Sequence, residues 1–283
     1  MTVRIAQVSD AHLSASRPFF AGNFARIAQD IRPRGFDFVL ASGDLNLVGE
    51  QSEEELMHGI AQHAAIGPEL ICVPGNHDVG NDPIRGGSGI ATPERVARWN
   101  AHAGPSAWVR DLPGWRLIGL DCQSLDFHAE QWEVVRRAVR DAGSRRIALI
   151  QHMPLTDGSL GDTHIAYWTM APEGRARLLA AFGETRPALV LSGHVHQWRD
   201  RIADGIRQVW APSTAFILGD PYQATFGTKV VGWVEHAFHA DGTHDAWLRT
   251  VDGLSLDDLG HMPHVYRPLP RLDERPDLWA VKQ

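Results

Sequence analysis

Short apolar runs that end on a ligand-type side chain constrain this chain more than any other feature. Runs rich in Val, Ile and Leu at Arg4–Ser9, Phe36–Ser42, Glu69–Val73, Arg116–Leu120, Arg146–Ile150, Ala188–Ser192 and Gln208–Ala211 are strand-like. Between them lie amphipathic segments at Asn23–Ile31, Ser52–Ile66, Pro93–His102, His128–Ala142 and Pro172–Phe182, whose apolar spacing predicts helices. Pro172 suits a first helical turn. This alternation predicts an α/β fold with helices covering the sheet faces. Lys229–Ala237 and His244–Thr250 follow without an intervening helix and could extend a sheet or form a second one.

The polar residues fall where the apolar runs stop. Asp10 and His12 follow the first in "VSDAH", Asp44 the second in "LASGDLN", and Asn76 and His77 the third in "VPGNHD". His152 follows the fifth in "LIQHMP", and His194 and His196 follow the sixth in "LSGHVH". A single histidine at a strand end is more often packed or solvated than chemical, but five such coincidences are hard to assign to chance. Ligands in α/β sheets bind beyond the carboxyl ends of the strands, so these clusters can converge on one crevice. Glycines before Asp44, Asn76 and His194 allow the tight backbone that brings short side chains to such a site. In "LICVPGNHDVG", turn chemistry alone would explain Asn76 and Asp78. It does not ask for His77.

Bulk properties narrow the setting. The 283 residues suffice for one large α/β domain or two small ones. The formal net charge of -7 argues against an electrostatic grip on nucleic-acid polymer or anionic membrane. No apolar stretch reaches membrane-spanning length and the N-terminus enters a strand-like run directly, so a cytoplasmic, membrane-free protein is expected. Cys72 and Cys122, both in apolar surroundings, are expected to be reduced core residues. The expected division is a catalytic unit over residues 1–254 and an irregular, proline-containing tail over 255–283, which could form a homodimer contact or a cap over the site.

Imidazole, carboxylate and amide donors without thiolate suit divalent or iron-type ions such as Mn, Fe, Zn or Co. Asp10, His12, Asp44, Asn76, His152, His194 and His196 make seven donors, too many for one tetrahedral ion. They divide between two ions if one carboxylate bridges, and Asp44, alone at its strand end, is the natural bridge. Two divalent ions, two aspartates and a hydroxide leave the centre about +1, a site that attracts phosphate oxygens and can activate water.

In this order "DAH", "GDLN", "GNHD", His152 and "GHVH" resemble the calcineurin-like metallophosphoesterase superfamily across Asp10–His196. The resemblance implies a four-layer αββα sandwich of two mixed sheets flanked by helices. It implies one ion on Asp10, His12, Asp44 and His196, and another on Asp44, Asn76, His152 and His194. It turns His77 toward the substrate, as a group that stabilises charge or protonates the leaving oxygen. Asp78 would either fix an imidazole or serve the turn. Leu47 stands where purple acid phosphatases carry a tyrosine, and the arginines that flank these motifs in Ser/Thr protein phosphatases are missing, Pro74 preceding "GNH". What remains is similar to bacterial class III cyclic-nucleotide phosphodiesterases and glycerophosphodiesterases. The implied reaction is hydrolysis of a small phosphodiester by a metal-bridging hydroxide, with phosphomonoester hydrolysis or a non-catalytic scaffold as rival readings. Gln151 replaces the first histidine of the relatives' "HHPP". The loops Arg85–Gly89 and Thr156–His164, the latter with Asp157, Asp162 and His164, are expected to set substrate choice.

Overall fold

In the computed structural model, which describes residues 1–83, 89–265 and 269–274, the expected alternation closes into two sheets. The first joins β1 (Thr2–Val8), β2 (Phe38–Ala41) and β3 (Glu69–Cys72) in parallel, and extends antiparallel from β1 to β11 (Trp233–His239) and β12 (His244–Arg249). The second runs in the order β10 (Thr228–Lys229), β8 (Gln197–Ala203), β9 (Ile206–Trp210), β7 (Leu189–Ser192), β6 (Arg146–Ile150), β5 (Trp115–Gly119), β4 (Trp108–Leu112). Its β5, β6, β7 and β9 are parallel. Both sheets are therefore mixed.

Strands buried on both faces read as continuous apolar runs, and β2, β5 and β7 are buried at every position. Between the sheets pack Ile5, Phe38, Leu40, Trp115, Leu117 and Leu191, with further apolar residues from both. The outer face of the first sheet is covered by α1 (Ala21–Ile31), α2 (Glu53–Ala64) and α4 (Pro93–Ala103) through Phe24, Ile27, Leu56 and Trp99. The outer face of the second is covered by α5 (Glu130–Arg140) and α6 (Pro172–Ala181) through Trp132, Val135 and Leu178. The four layers are those the resemblance implies. Pro172 occupies the first turn of α6 as expected; Pro93 does the same in α4, and Ser52 accepts the Glu55 N–H at the start of α2.

The expected run Lys229–Ala237 divides between β10 in one sheet and β11 in the other, and β4, β8 and a short helix at Asn76–Val79 escape the sequence reading. β4 and β8 carry consecutive charged residues, Arg110–Asp111 in "WVRDL" and Arg199–Arg201 in "QWRDRIA", and lie at or next to a sheet edge, where charge limits edge-to-edge pairing. The short α3 (Asn76–Val79) follows Gly75 where a simple turn is expected. Cys72 and Cys122 are buried and unbridged. No helix among the described residues is long and apolar enough to cross a membrane. After Leu254 the described chain has one 3₁₀ turn at Leu259–His261, and Leu259 and Val265 pack on Phe20, Phe216 and Leu218.

Candidate metal centre

The carboxyl ends of β1, β2 and β3 in one sheet and of β6 and β7 in the other meet on one edge of the sandwich, and the seven candidate donors stand there. Each is 6% exposed or less. Their backbone is unusual: Asp10 (φ 52°), His12 (44°), Asp44 (52°), His194 (66°) and His196 (57°) are five of the six non-glycine residues with left-handed φ among the described residues. Such conformations cost about 1–3 kcal/mol each and persist where the surroundings over-determine them. Here the surroundings are other ligand loops. Asp10 N–H donates to Gly43 O at 3.0 Å and His12 N–H to Asp44 O at 3.1 Å, zipping the loop after β1 to the loop after β2.

The donor atoms sort into two groups. His196 Nε2 lies 3.2 Å from both His12 Nε2 and Asp10 Oδ1. His152 Nε2 lies 3.2 Å from Asn76 Oδ1, 3.3 Å from His194 Nδ1 and 3.3 Å from Asp44 Oδ2. The same Asp44 Oδ2 is 3.8 Å from His12 Nε2, so one carboxylate reaches both groups. Imidazole nitrogens facing each other at 3.2–3.3 Å across carboxylates ask for a cation between them.

Contacts on the far side of the rings meet the same requirement. His152 Nδ1–H donates to Ser42 O (2.8 Å), His196 Nδ1–H to Phe216 O (3.1 Å) and His194 Nε2–H to Tyr167 O (3.2 Å). Each carbonyl fixes the tautomer whose lone pair points into the cluster, the usual support of a metal-binding histidine. His12 differs, with a buried Nδ1 that has no hydrogen-bond partner among the described residues. The residues present thus fit two metal ions.

Electrostatics show how strongly the pocket draws positive charge. Burial would raise Asp10, but His196 and then His152 outweigh it and bring its pKa down to about 2. Burial likewise works against ionised Asp44, yet His152 and His77 hold it well below the usual carboxylate range. His152 itself, opposed by burial, is lifted to about 10 by Asp44. For His12, burial and then His77 keep the ring neutral.

His77 stands at the start of α3, half-buried. Its N–H donates to Asp44 Oδ1 at 2.8 Å, and its Nδ1–H donates to Leu47 O at 2.8 Å. A ring nitrogen of His77 lies within 4.8 Å of donor atoms of His12 and Asp44, so geometry alone does not separate it from the ligand set. Asp78 serves the turn, one of its expected roles, through Gly75 N, and more than the turn. Fully buried, it accepts from Gly75 N, Leu45 N, Asn46 N and Asn46 Nδ2 at 2.9–3.3 Å, tying the loop after β2 to the loop after β3.

The centre opens into a cavity of about 120 Å³ whose walls beyond the donors are Tyr167, Trp168, Phe216, Leu218, Leu259 and Leu269. None of these was singled out in the sequence. The adjacent aromatics of "IAYWTM", inside an otherwise polar connection, are the signal that could have found two of them. Asp157, Asp162 and His164 do not line the cavity. Their stretch is instead anchored through main-chain oxygens: Arg175 donates to Leu155 O, Leu160 O and Asp162 O, and Arg199 and Arg201 donate to Asp157 O. Gln151 is buried and donates to Met153 O and Met170 Sδ, bracing the far end of the same connection. Of the Arg85–Gly89 loop, Arg85 lies outside the described residues. A larger open groove of about 500 Å³ along Asp111–Gly114, Ser144–Arg146 and Ala240–Gly242 lies at the opposite, amino-terminal ends of β5 and β6.

A family model described as "Calcineurin-like phosphoesterase" matches residues 3–198. Among curated proteins, the chain is 29% identical over 259 residues to 3',5'-cyclic adenosine monophosphate phosphodiesterase CpdA of Escherichia coli (strain K12), covering 85% of this chain and 87% of that one. It is 25% identical over 273 residues to CpdA of Pseudomonas aeruginosa, covering 90% and 93%. In fold it is similar to purple acid phosphatase PPD1 from yellow lupin (Lupinus luteus), with TM-score 0.65, 16% identity, and coverage of 91% of this chain but 53% of that one. It is also similar to GAP50, the anchor in the inner membrane complex of Plasmodium, with TM-score 0.59, 14% identity and coverage of 90% and 86%.

Proposed function

Because the chain belongs to the calcineurin-like phosphoesterase family and is a metal-dependent phosphodiester hydrolase, we propose that it cleaves a small phosphodiester of the cyclic-nucleotide type at a two-metal centre. The observation that carries this reading is the pair of donor groups joined by Asp44, opening into a cavity with an aromatic and aliphatic wall. One ion is assigned to Asp10, His12, Asp44 and His196, the other to Asp44, Asn76, His152 and His194, with Mn, Fe, Zn or Co suited to these donors. When bound, such a pair supplies positive charge for the phosphoryl oxygens and an acidified water as nucleophile.

The residues of the chain do the rest. Ser42, Phe216 and Tyr167 carbonyls hold three ligand rings in register. His77, its Nδ1–H held by Leu47 O, can protonate a leaving oxygen only from Nε2, so that role requires the imidazolium. No lysine or arginine lines the cavity among the described residues, which suits a singly charged diester better than a dianionic monoester. Tyr167, Trp168 and Phe216 offer flat apolar surface to a nucleobase, for which a glycerol headgroup has no use. The curated relatives named as cyclic AMP phosphodiesterases support the same choice.

Rates with Mn on bis(p-nitrophenyl) phosphate and p-nitrophenyl phosphate, then on 3',5'-cyclic AMP and a glycerophosphodiester, test the proposal. Faster diester than monoester turnover and preference for the cyclic nucleotide are expected. Faster monoester turnover would overturn the diester reading, and preference for the glycerol ester would overturn the nucleobase assignment.

A further inference from the structure

Through the apolar core between the sheets runs a line of polar side chains. Ile5 and Gln7 share a face of β1, as Leu40 and Ser42 do at the end of β2, and as Val234, His236 and Phe238 do on β11. Gln7 and His236 are fully buried. Gln7 Nε2 donates to Ser42 Oγ at 2.8 Å and to Ser192 O at 3.3 Å. His236 Nε2 meets Gln7 Oε1 at 2.8 Å, His236 Nδ1 meets His244 Nε2 at 3.1 Å, and His244 Nδ1 meets Arg207 Nη1 at 3.2 Å. Arg207 is clamped by two bonds to Asp200 at 2.9 and 2.7 Å.

Both ends of this line have fixed polarity. A guanidinium only donates, so His244 Nδ1 accepts and its proton sits on Nε2. His236 Nδ1 must then accept, and its Nε2–H donates to Gln7 Oε1. A carbonyl only accepts, so at the other end the Gln7 amide must turn its NH₂ to Ser192 O. The two constraints agree, and burial, with Arg207 beside His244, keeps both rings neutral as the line requires. An unsatisfied polar chain in such a core would be costly; satisfied at every link, it rigidifies.

Its inner end lies under the metal centre. Ser42 stands two residues before Asp44 on the first sheet, and its carbonyl holds His152. Ser192 stands two residues before His194 on the second. Gln7 is therefore a side chain that ties the end of β2 to the end of β7, two strands that deliver donors from opposite sheets. We infer that Gln7 is a positioning residue for the metal centre, its amide oriented by His236, His244 and Arg207 and setting the separation of Asp44 from His194. The inference rests on the two-metal reading.

Calorimetric titration of the metal-free full-length chain with Mn, alongside its thermal melting, tests it in wild type, Gln7→Met and His236→Leu. Gln7→Met keeps shape and removes both donors; His236→Leu leaves Gln7 in place but frees its orientation. Expected are folded variants whose Mn affinity falls about tenfold, as for loss of other outer contacts of a metal site. A merely structural Gln7 would lower the melting temperature and leave Mn affinity within about twofold of wild type, and that result in the folded variants would overturn the inference while the metal-centre reading stands. If wild type binds no Mn, both fall. If only one variant folds, its Mn affinity decides.

Discussion

The backbone N–H of His77 donates to Oδ1 of Asp44 at 2.8 Å, so the chain leaving β3 grips the carboxylate delivered by β2. This grip needs the two loops to touch at Gly75, where a Cβ would run into Asp44 Oδ1 and the Asp44 backbone N. Gly75 has φ -104°, open to any residue, so the demand is for space alone. Gly75→Ala is expected to cost about 1–3 kcal/mol by overpacking and to weaken Mn binding by displacing Asp44. Urea unfolding of the metal-free chain and a Mn titration read the two effects, and unchanged Mn affinity would show that Asp44 keeps its position.

If His77 supplies the proton to the leaving oxygen, its removal should matter most where that proton is needed. His77→Ala is expected to lose on the order of 10²–10⁴-fold in kcat on a cyclic nucleotide, whose leaving group is an alkoxide. Bis(p-nitrophenyl) phosphate, whose leaving group departs unprotonated, should lose far less. Equal losses on both substrates would restrict the His77 side chain to charge stabilisation, since the backbone N–H that holds Asp44 is kept in the variant.

The cavity wall predicts a split between binding constants. Trp168→Ala and Leu259→Ala should raise KM for a nucleobase-bearing diester about tenfold or more, the two side chains each contributing roughly 1.5–3 kcal/mol of apolar contact at full burial. A diester of small alkyl groups should be indifferent. Steady-state kinetics on the two substrates checks this, and a parallel rise in both KM values would place the effect in the metal centre instead.

Acid sensitivity has a source far from the site. His63 on α2 is 1% exposed, packs against Phe24 and donates from Nδ1 to Gly59 O, and burial lowers its pKa to about 4. A folded value below the unfolded 6.5 means that the unfolded chain takes the proton first. The stability is complete above about pH 6.5 and is lost as pH falls toward 4, by up to about 3 kcal/mol. His63→Leu should flatten this part of the profile, measured as urea midpoints between pH 7 and pH 4. Identical slopes would remove His63 as the cause.

Much of this was legible in the sequence because buried parallel strands announce themselves as apolar runs, and each of five such runs ends on its donors. The edge strand β4 and the near-edge β8 were not legible, since their consecutive charges imitate loop composition. Nor could residue types show that Asp10, His12, Asp44, His194 and His196 adopt left-handed backbone, a product of loops that lock one another. Asp78 exposes the limit most clearly. Its position beside His77 suggested a turn or an imidazole; it does serve the turn through Gly75 N, while its carboxylate also collects three N–H groups from the loop after β2, distant in sequence. The pocket wall assembled from Trp168, Phe216 and Leu259 is likewise a product of tertiary packing.

The two-metal centre is tested most directly by counting metal. After dialysis against Mn and removal of free ion, the wild-type chain should retain two ions, and Asp44→Ala, which loses the carboxylate shared by both donor groups, at most one. A wild-type chain retaining less than one ion, and inactive on bis(p-nitrophenyl) phosphate, would contradict the assignment.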